Sequence, residues 1–85
     1  MYAVEYGDEA QEQADVLPFD ALAPFLEVLA VLGVAPWSGK SLNEDNPNAN
    51  ILTLAFGPRK QGMVTYMILE DRRHVEILKV MWLGL

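Results

Sequence analysis

Eighty-five residues at 9.5 kDa leave room for one hydrophobic core, since a second would need a chain roughly twice as long, so residues 1–85 are expected to form a single domain. A hydrophobic content of 52% and a mean hydropathy of +0.13 supply enough apolar surface to offset ordering entropy, which excludes a disordered segment. The net charge of −6 and isoelectric point near 4.5 exclude binding to nucleic acid through bulk positive charge, and the absence of cysteine beside a single histidine leads us to expect no disulfide, metal or cofactor.

Tyr2, Val4 and Tyr6 alternate with Ala3 and Glu5, the two-residue period of a half-buried strand. Asp8 stands before Glu9, Gln11, Glu12 and Gln13 and is expected to cap a short helix whose first turn favours negative charge. That helix ends by Leu17, because Pro18 drives the residue before it out of the α region. A second helix is expected from a cap at Asp20 to about Leu32, with Gly33 as a left-handed stop. Counted from Asp20, Pro24 falls in the first turn, where a missing N–H has no intrahelical partner to lose. Leu22, Phe25, Leu26, Leu29 and Leu32 recur at spacings of three and four, and between Ala21 and Leu32 only Glu27 is charged. A helix apolar nearly all round must be covered on more than one side. The sheet supplies one cover, and the first helix or a partner chain supplies the other.

The stretch from Gly33 to Asn50 is rich in Pro, Gly and Asn and has no period. At about 18 residues it exceeds the ~12–15 usual for structureless loops, so it is functional or partly ordered, with Trp37 as a packing anchor. Three strands follow, Ile51 to Phe56, Met63 to Leu69 and His74 to Trp82, joined by the Gly57–Gly62 loop and the Glu70–Arg73 turn. The middle run is apolar on both faces, so it is expected to be central and covered on both sides. The predicted fold class is α+β: an N-terminal strand, a helical hairpin and a three-stranded antiparallel meander. We expect four antiparallel strands in the order 1-4-3-2 with both helices on one face. Met1 to Asp20 lacks a basic start followed by an apolar run, and the longest uncharged run, Val28 to Gly39, holds 12 residues against the ~20 that span a bilayer. A cytoplasmic protein without membrane contact is expected.

Charge divides the chain. Residues 1–45 hold nine acids against Lys40, a balance of −8, whereas residues 46–85 hold three acids against Arg59, Lys60, Arg72, Arg73 and Lys79, a balance of +2. Strands rise ~3.3 Å per residue, which places Arg72 and Arg73 roughly 20 Å from the Arg59–Lys60 loop. A last hairpin turning about Asp71 and Arg72 brings Lys79 opposite Val64 or Thr65 and Trp82 opposite Gln61 or Gly62. The candidate RNA- or phosphate-binding residues are therefore Arg59, Lys60, Lys79 and Trp82, three cations to hold a phosphodiester and an indole either to stack a base or to close the core. Gly57 to Gly62 joins two strands rather than a strand and a helix, so it is no phosphate loop. His74 reads as an edge residue, and the adjacent acids Glu44-Asp45 and Glu70-Asp71 point different ways. Catalytic residues stay unassigned.

The passages "YAVEYGDEAQEQ", "LPFDALAPFLEVLAVLGVAPWSGKSLN", "LAFG", "GMVTYMILED" and "VEILKVMW" resemble the RelE/ParE superfamily of toxin-antitoxin toxins. They match its Tyr/Val first strand, its Leu-rich hairpin ending in a Pro loop, its middle strand and its aromatic-ended last strand. The resemblance implies a β-α-α-β-β-β toxin held by an antitoxin-like protein, with messenger RNA cleavage on the ribosome or gyrase inhibition as the usual activities. In members that cut RNA, basic residues project from the second, third and fourth strands, where this chain has Leu52, Met63 and Lys79, and no tyrosine or histidine follows Trp82. Two functional readings stand. One is a divergent toxin component, a ribosome-dependent mRNA endonuclease. The other is a non-enzymatic interaction module that keeps the fold without nuclease chemistry. The partner is an antitoxin-like protein, or a second copy in a dimer formed through the second helix.

Overall fold

In the computed structural model, residues 1–43, 45 and 49–84 are described; Glu44, named above with Asp45, lies outside them. The chain runs β1 (Ala3–Tyr6), α1 (Asp8–Asp15), α2 (Phe19–Val34), a 3-10 turn (Pro36–Ser38), β2 (Lys40–Ser41), β3 (Ile51–Phe56), β4 (Gly62–Leu69), a second 3-10 turn (Glu70–Arg72) and β5 (His74–Trp82). The strands form one sheet ordered β1-β5-β4-β3-β2. The expected neighbours are therefore correct, and β2 adds a fifth strand that was read as loop. The sheet is mixed rather than antiparallel throughout: β1 lies parallel to β5, with Ala3 opposite His74 and Tyr6 opposite Ile77. Two helices carry the chain from β1 to the far side of the sheet, and β5 reaches β1 only after the meander has turned twice.

Both helix starts differ from expectation. Gly7, not Asp8, is the N-cap of α1, and Pro18, not Asp20, that of α2; neither makes a side-chain cap. Pro24 consequently sits two residues deeper than the sequence suggested, where a residue with an N–H would donate to the Asp20 carbonyl. The helix continues through it because Ala21, Phe25, Val28 and Leu32, spaced by three and four, are all buried, the last three in one core cluster with the sheet. Gly33 does not stop α2 either. It is buried in the last turn, where its carbonyl accepts from Tyr2 N–H at 2.8 Å and ties the helix end to the chain start.

The core lies between the helices and one face of the sheet. Val4 and Tyr6 of β1, Val75, Ile77 and Val80 of β5, Val64, Tyr66 and Ile68 of β4, and Leu52, Leu54 and Phe56 of β3 meet Ala10, Phe25, Val28 and Leu32. Phe25 is wedged between Tyr6 and Phe56 at ring-centroid distances of 6.3 and 5.6 Å. Each such aliphatic or aromatic burial contributes about 1.5–3 kcal/mol. Tyr66 is fully buried, yet its hydroxyl donates to the Pro36 carbonyl at 2.6 Å, fastening the 3-10 turn beneath the sheet. Gly39 makes this approach possible: a side-chain carbon there would overlap the Tyr66 hydroxyl and stand 2.6 Å from the Thr53 carbonyl.

Among the described residues, no helix lies over the other face of the sheet. β4 is central, but it is not covered on both sides: Gly62, Val64, Tyr66 and Ile68 are buried while Met63, Thr65, Met67 and Leu69 are exposed or half-exposed. No helix among the described residues is long and apolar enough to cross a membrane.

Candidate functional site

The candidate site lies on this open face, and a β-bulge puts it there. Side chains alternate along a strand, so a regular β5 that buries Val75 and Ile77 would also bury residue 79. Instead Thr65 pairs with Lys79 while the neighbouring Tyr66 pairs with Ile77, which leaves Leu78 as an extra residue. The shift turns Lys79 outward, where it is exposed, and returns Val80 to the core. The Val80 amide at the bulge donates to Gln13 Oε1 of α1 at 2.6 Å.

Pairing then sets a row across four strands. Lys40 of β2 is opposite Thr53 of β3, Thr53 is opposite Thr65 of β4, and Thr65 is opposite Lys79 of β5. Directly paired residues share a face, so two ammonium groups flank two hydroxyls across a span of about 14 Å at the usual ~4.8 Å between strands. Lys60 joins from the β3–β4 turn. It lines, with Lys40, Gly39, Thr53, Ala55 and Met63, a cleft of about 330 Å³. The turn that carries Lys60 closes through its N–H on the Gly57 carbonyl at 3.0 Å, and Gln61 Oε1 accepts from Arg59 N–H at 2.9 Å. Gly57 has φ +97° and Lys60 φ 56°; the first of these favours glycine.

Of the residues expected from the sequence, Lys60 and Lys79 share the open face, and Arg59 shares the Lys60 turn without lining its cleft. Trp82 does not join them. It is opposite Gly62 as expected, but it faces the helices, stacked on Phe56 at 5.7 Å and bordering Gln13, Leu17 and Val80. Two-residue alternation already places positions 79 and 82 on opposite faces, so the pairing of cation and indole was a misreading of register. Leu52 is likewise buried, and Thr53 is the β3 residue that faces the cations. Lys40 was missed because β2 is only two residues long and lay inside an aperiodic stretch; Thr53 and Thr65 stand on the expected strands and, being uncharged, were not counted among the phosphate contacts.

Arg72 and Arg73 lie at the other end of β5, and Arg73 is committed to a local cluster. Its guanidinium contacts Glu70 at 3.2 Å and lies 4.4 Å over the Tyr2 ring. Glu70 also accepts from Trp37 Nε1 at 2.8 Å and from the Tyr2 hydroxyl at 2.7 Å. Hydrogen bonds from Trp37 and Tyr2, with the Arg73 charge, hold its carboxyl below the usual range. Trp37 is therefore tied down by a hydrogen bond and not by the packing that the sequence suggested: its ring is 45% exposed and stands outside the core cluster. His74 stands 3.6 Å from Glu5. Tyr6 and Tyr66 turn to the core and Tyr2 to Glu70, so among the described residues no histidine or tyrosine stands in the cation row. The arrangement can hold anionic oxygens through ammonium and hydroxyl donors.

A mixed sheet with β1 parallel to β5 and a helical pair on one face defines the fold of RelE-type toxins. The isolated E. coli RelE toxin superposes with a TM-score of 0.80 at 10% identity, covering 100% of this chain and 87% of that one. A chain of the intact E. coli RelBE toxin-antitoxin complex gives 0.79 at 10% identity with full coverage of both. The RelBE2 toxin-antitoxin complex of Mycobacterium tuberculosis gives 0.64 at 19% identity over 96% of this chain and 91% of that one. No protein-family model and no curated protein sequence matches the chain, so the likeness is one of fold.

Proposed function

We propose that this chain is the toxin component of a toxin-antitoxin pair and that its open sheet face binds the backbone of single-stranded RNA. The observation that carries the reading is the Lys40–Thr53–Thr65–Lys79 row with Lys60 beside it. It is a track of cations and hydroxyls on the face that no helix among the described residues covers, and Arg59 on the adjoining turn is a further phosphate contact. Solved structures of this fold include E. coli RelE bound to an antitoxin peptide and an archaeal RelE-RelB complex from Pyrococcus horikoshii, which supports a partner chain. The finer activity we propose is cleavage of messenger RNA on the ribosome. A second reading, RNA or protein binding without cleavage, is favoured by the lack of a histidine or tyrosine beside the lysines.

Expression of the chain alone, with and without Lys40→Ala, Lys60→Ala and Lys79→Ala combined, tests the reading. Growth arrest that the triple variant relieves is expected. With a labelled 12-nucleotide RNA, three lysine–phosphate contacts give a log–log salt slope of about −2, falling by about 0.7 for each lysine removed. Arrest and RNA affinity both unchanged in the triple variant refute the site, whereas RNA binding that leaves the strand intact selects the second reading.

A further inference from the structure

We propose that the exposed side of α2 docks a partner helix carrying Lys or Arg beside an apolar stripe, and that a second copy of this chain is not its occupant. The inference deepens the two-chain reading above by naming the partner's chemistry. At about 3.6 residues per turn, the side of α2 opposite its buried stripe presents Phe19, Ala23, Leu26, Ala30 and Val34, with Leu22 and Val31 at its margins. Phe19 is 91% exposed, Leu26 64% and Val34 65%, and Val16 just before the helix is 79% exposed. Together these side chains expose roughly 600 Å² of apolar surface, at the top of the ~300–600 Å² seen for the largest patch on a monomer and approaching the ~800 Å² one partner buries in a stable complex.

Charge decides between occupants. Residues 1–39 contain no lysine, arginine or histidine, and Asp8, Glu9, Glu12, Asp15, Asp20 and Glu27 of the two helices are all exposed. The ion pairs among the described residues, Arg73 with Glu70 and His74 with Glu5, involve none of these six. Two copies docked through α2 would set one uncompensated acidic rim against another, a juxtaposition that disfavours the pair. A basic amphipathic helix brings the opposite sign. Along the Glu27 margin the surface continues into a groove of about 310 Å³ between α2 and β3, bordered by Pro24, Val31 and Phe56. An apolar anchor fits there while a neighbouring cation meets Glu27.

The test uses the full chain and two labelled 18-residue helical peptides. Both carry leucine at spacings of three and four; one has lysine and arginine at the flanks and the other glutamate. Fluorescence anisotropy is expected to show the basic peptide binding at least tenfold more tightly than the acidic one. Leu26→Asp, and separately Asp20→Lys with Glu27→Lys, are expected to weaken the basic peptide at least tenfold while circular dichroism confirms folding. Equal affinity for the two peptides, or affinity indifferent to Leu26→Asp, overturns the proposal. So does a dimer in light scattering that Leu26→Asp dissociates, because the face would then belong to a second copy. Growth arrest in cells reads the toxin assignment separately: arrest without peptide selectivity removes the partner chemistry alone, and selectivity without arrest leaves it standing.

Discussion

Replacing Tyr66 with phenylalanine isolates one buried hydrogen bond and gives it a pH signature. The ring stays in the core, but the Pro36 carbonyl, itself buried, loses the donor that sat 2.6 Å away. Loss of such a bond with its acceptor left unpaired costs about 1–2 kcal/mol, or a fall in Tm of about 5–15 °C for a domain of this size. Burial also pushes the Tyr66 phenol up to about 12, against a smaller lowering by the Gly39 backbone. Because the folded-state value lies above the unfolded one near 10, the phenol's contribution is complete below pH 10 and disappears as pH rises toward 12. The stability gap between parent and Tyr66→Phe should therefore be widest at neutral pH and narrow between pH 10 and 12. Tyr2 and Tyr6, which are also raised, are present in both proteins and cancel. Urea unfolding followed by circular dichroism from pH 7 to 12 measures the gap. Equal stability at pH 7, or a gap constant to pH 12, would refute the account of Tyr66.

At acid pH the Glu70 cluster gives the complementary signature. Its carboxyl is held down in the folded chain, so the stabilisation is present above the ordinary carboxylate value of about 4.3 and lost as pH falls below it. Glu70→Gln should lower stability at pH 6 and flatten the decline of the urea midpoint toward pH 3; an unchanged acid limb would mean that Trp37 and Tyr2 do not depend on the carboxylate. Pro24→Ala restores an N–H for the Asp20 carbonyl inside α2, and a gain of about 1–3 kcal/mol in urea unfolding is expected. A loss of stability would show that the proline ring matters more to the neighbouring groove than the missing bond does to the helix.

Local patterns carried much of the fold. Alternation in Tyr2–Tyr6, the acid-rich start at Asp8, the three-and-four spacing of Ala21–Leu32 and the β-rich runs between turn residues in the closing third located the two helices and four of the five strands, because each signal follows from the preferences of one element at a time. The site was less legible. Placing Trp82 with Lys79 ignored the same alternation that found the strand. Lys40 could not be recovered from its neighbours, since a two-residue strand has no period.

The sequence by itself determined a small α+β domain, an acidic helical pair with an apolar outer face, and the cations Arg59 and Lys60 on the β3–β4 turn, all properties of composition and short-range spacing. Tertiary structure alone decided that β1 runs parallel to β5, that Glu70 gathers Tyr2 and Trp37, and that Lys79 faces out. Each of these joins groups separated by tens of residues in the chain, as when Gln13 accepts the Val80 amide at the bulge. Such contacts are selected by how helices and sheet pack together, not by the preferences of the residues beside them.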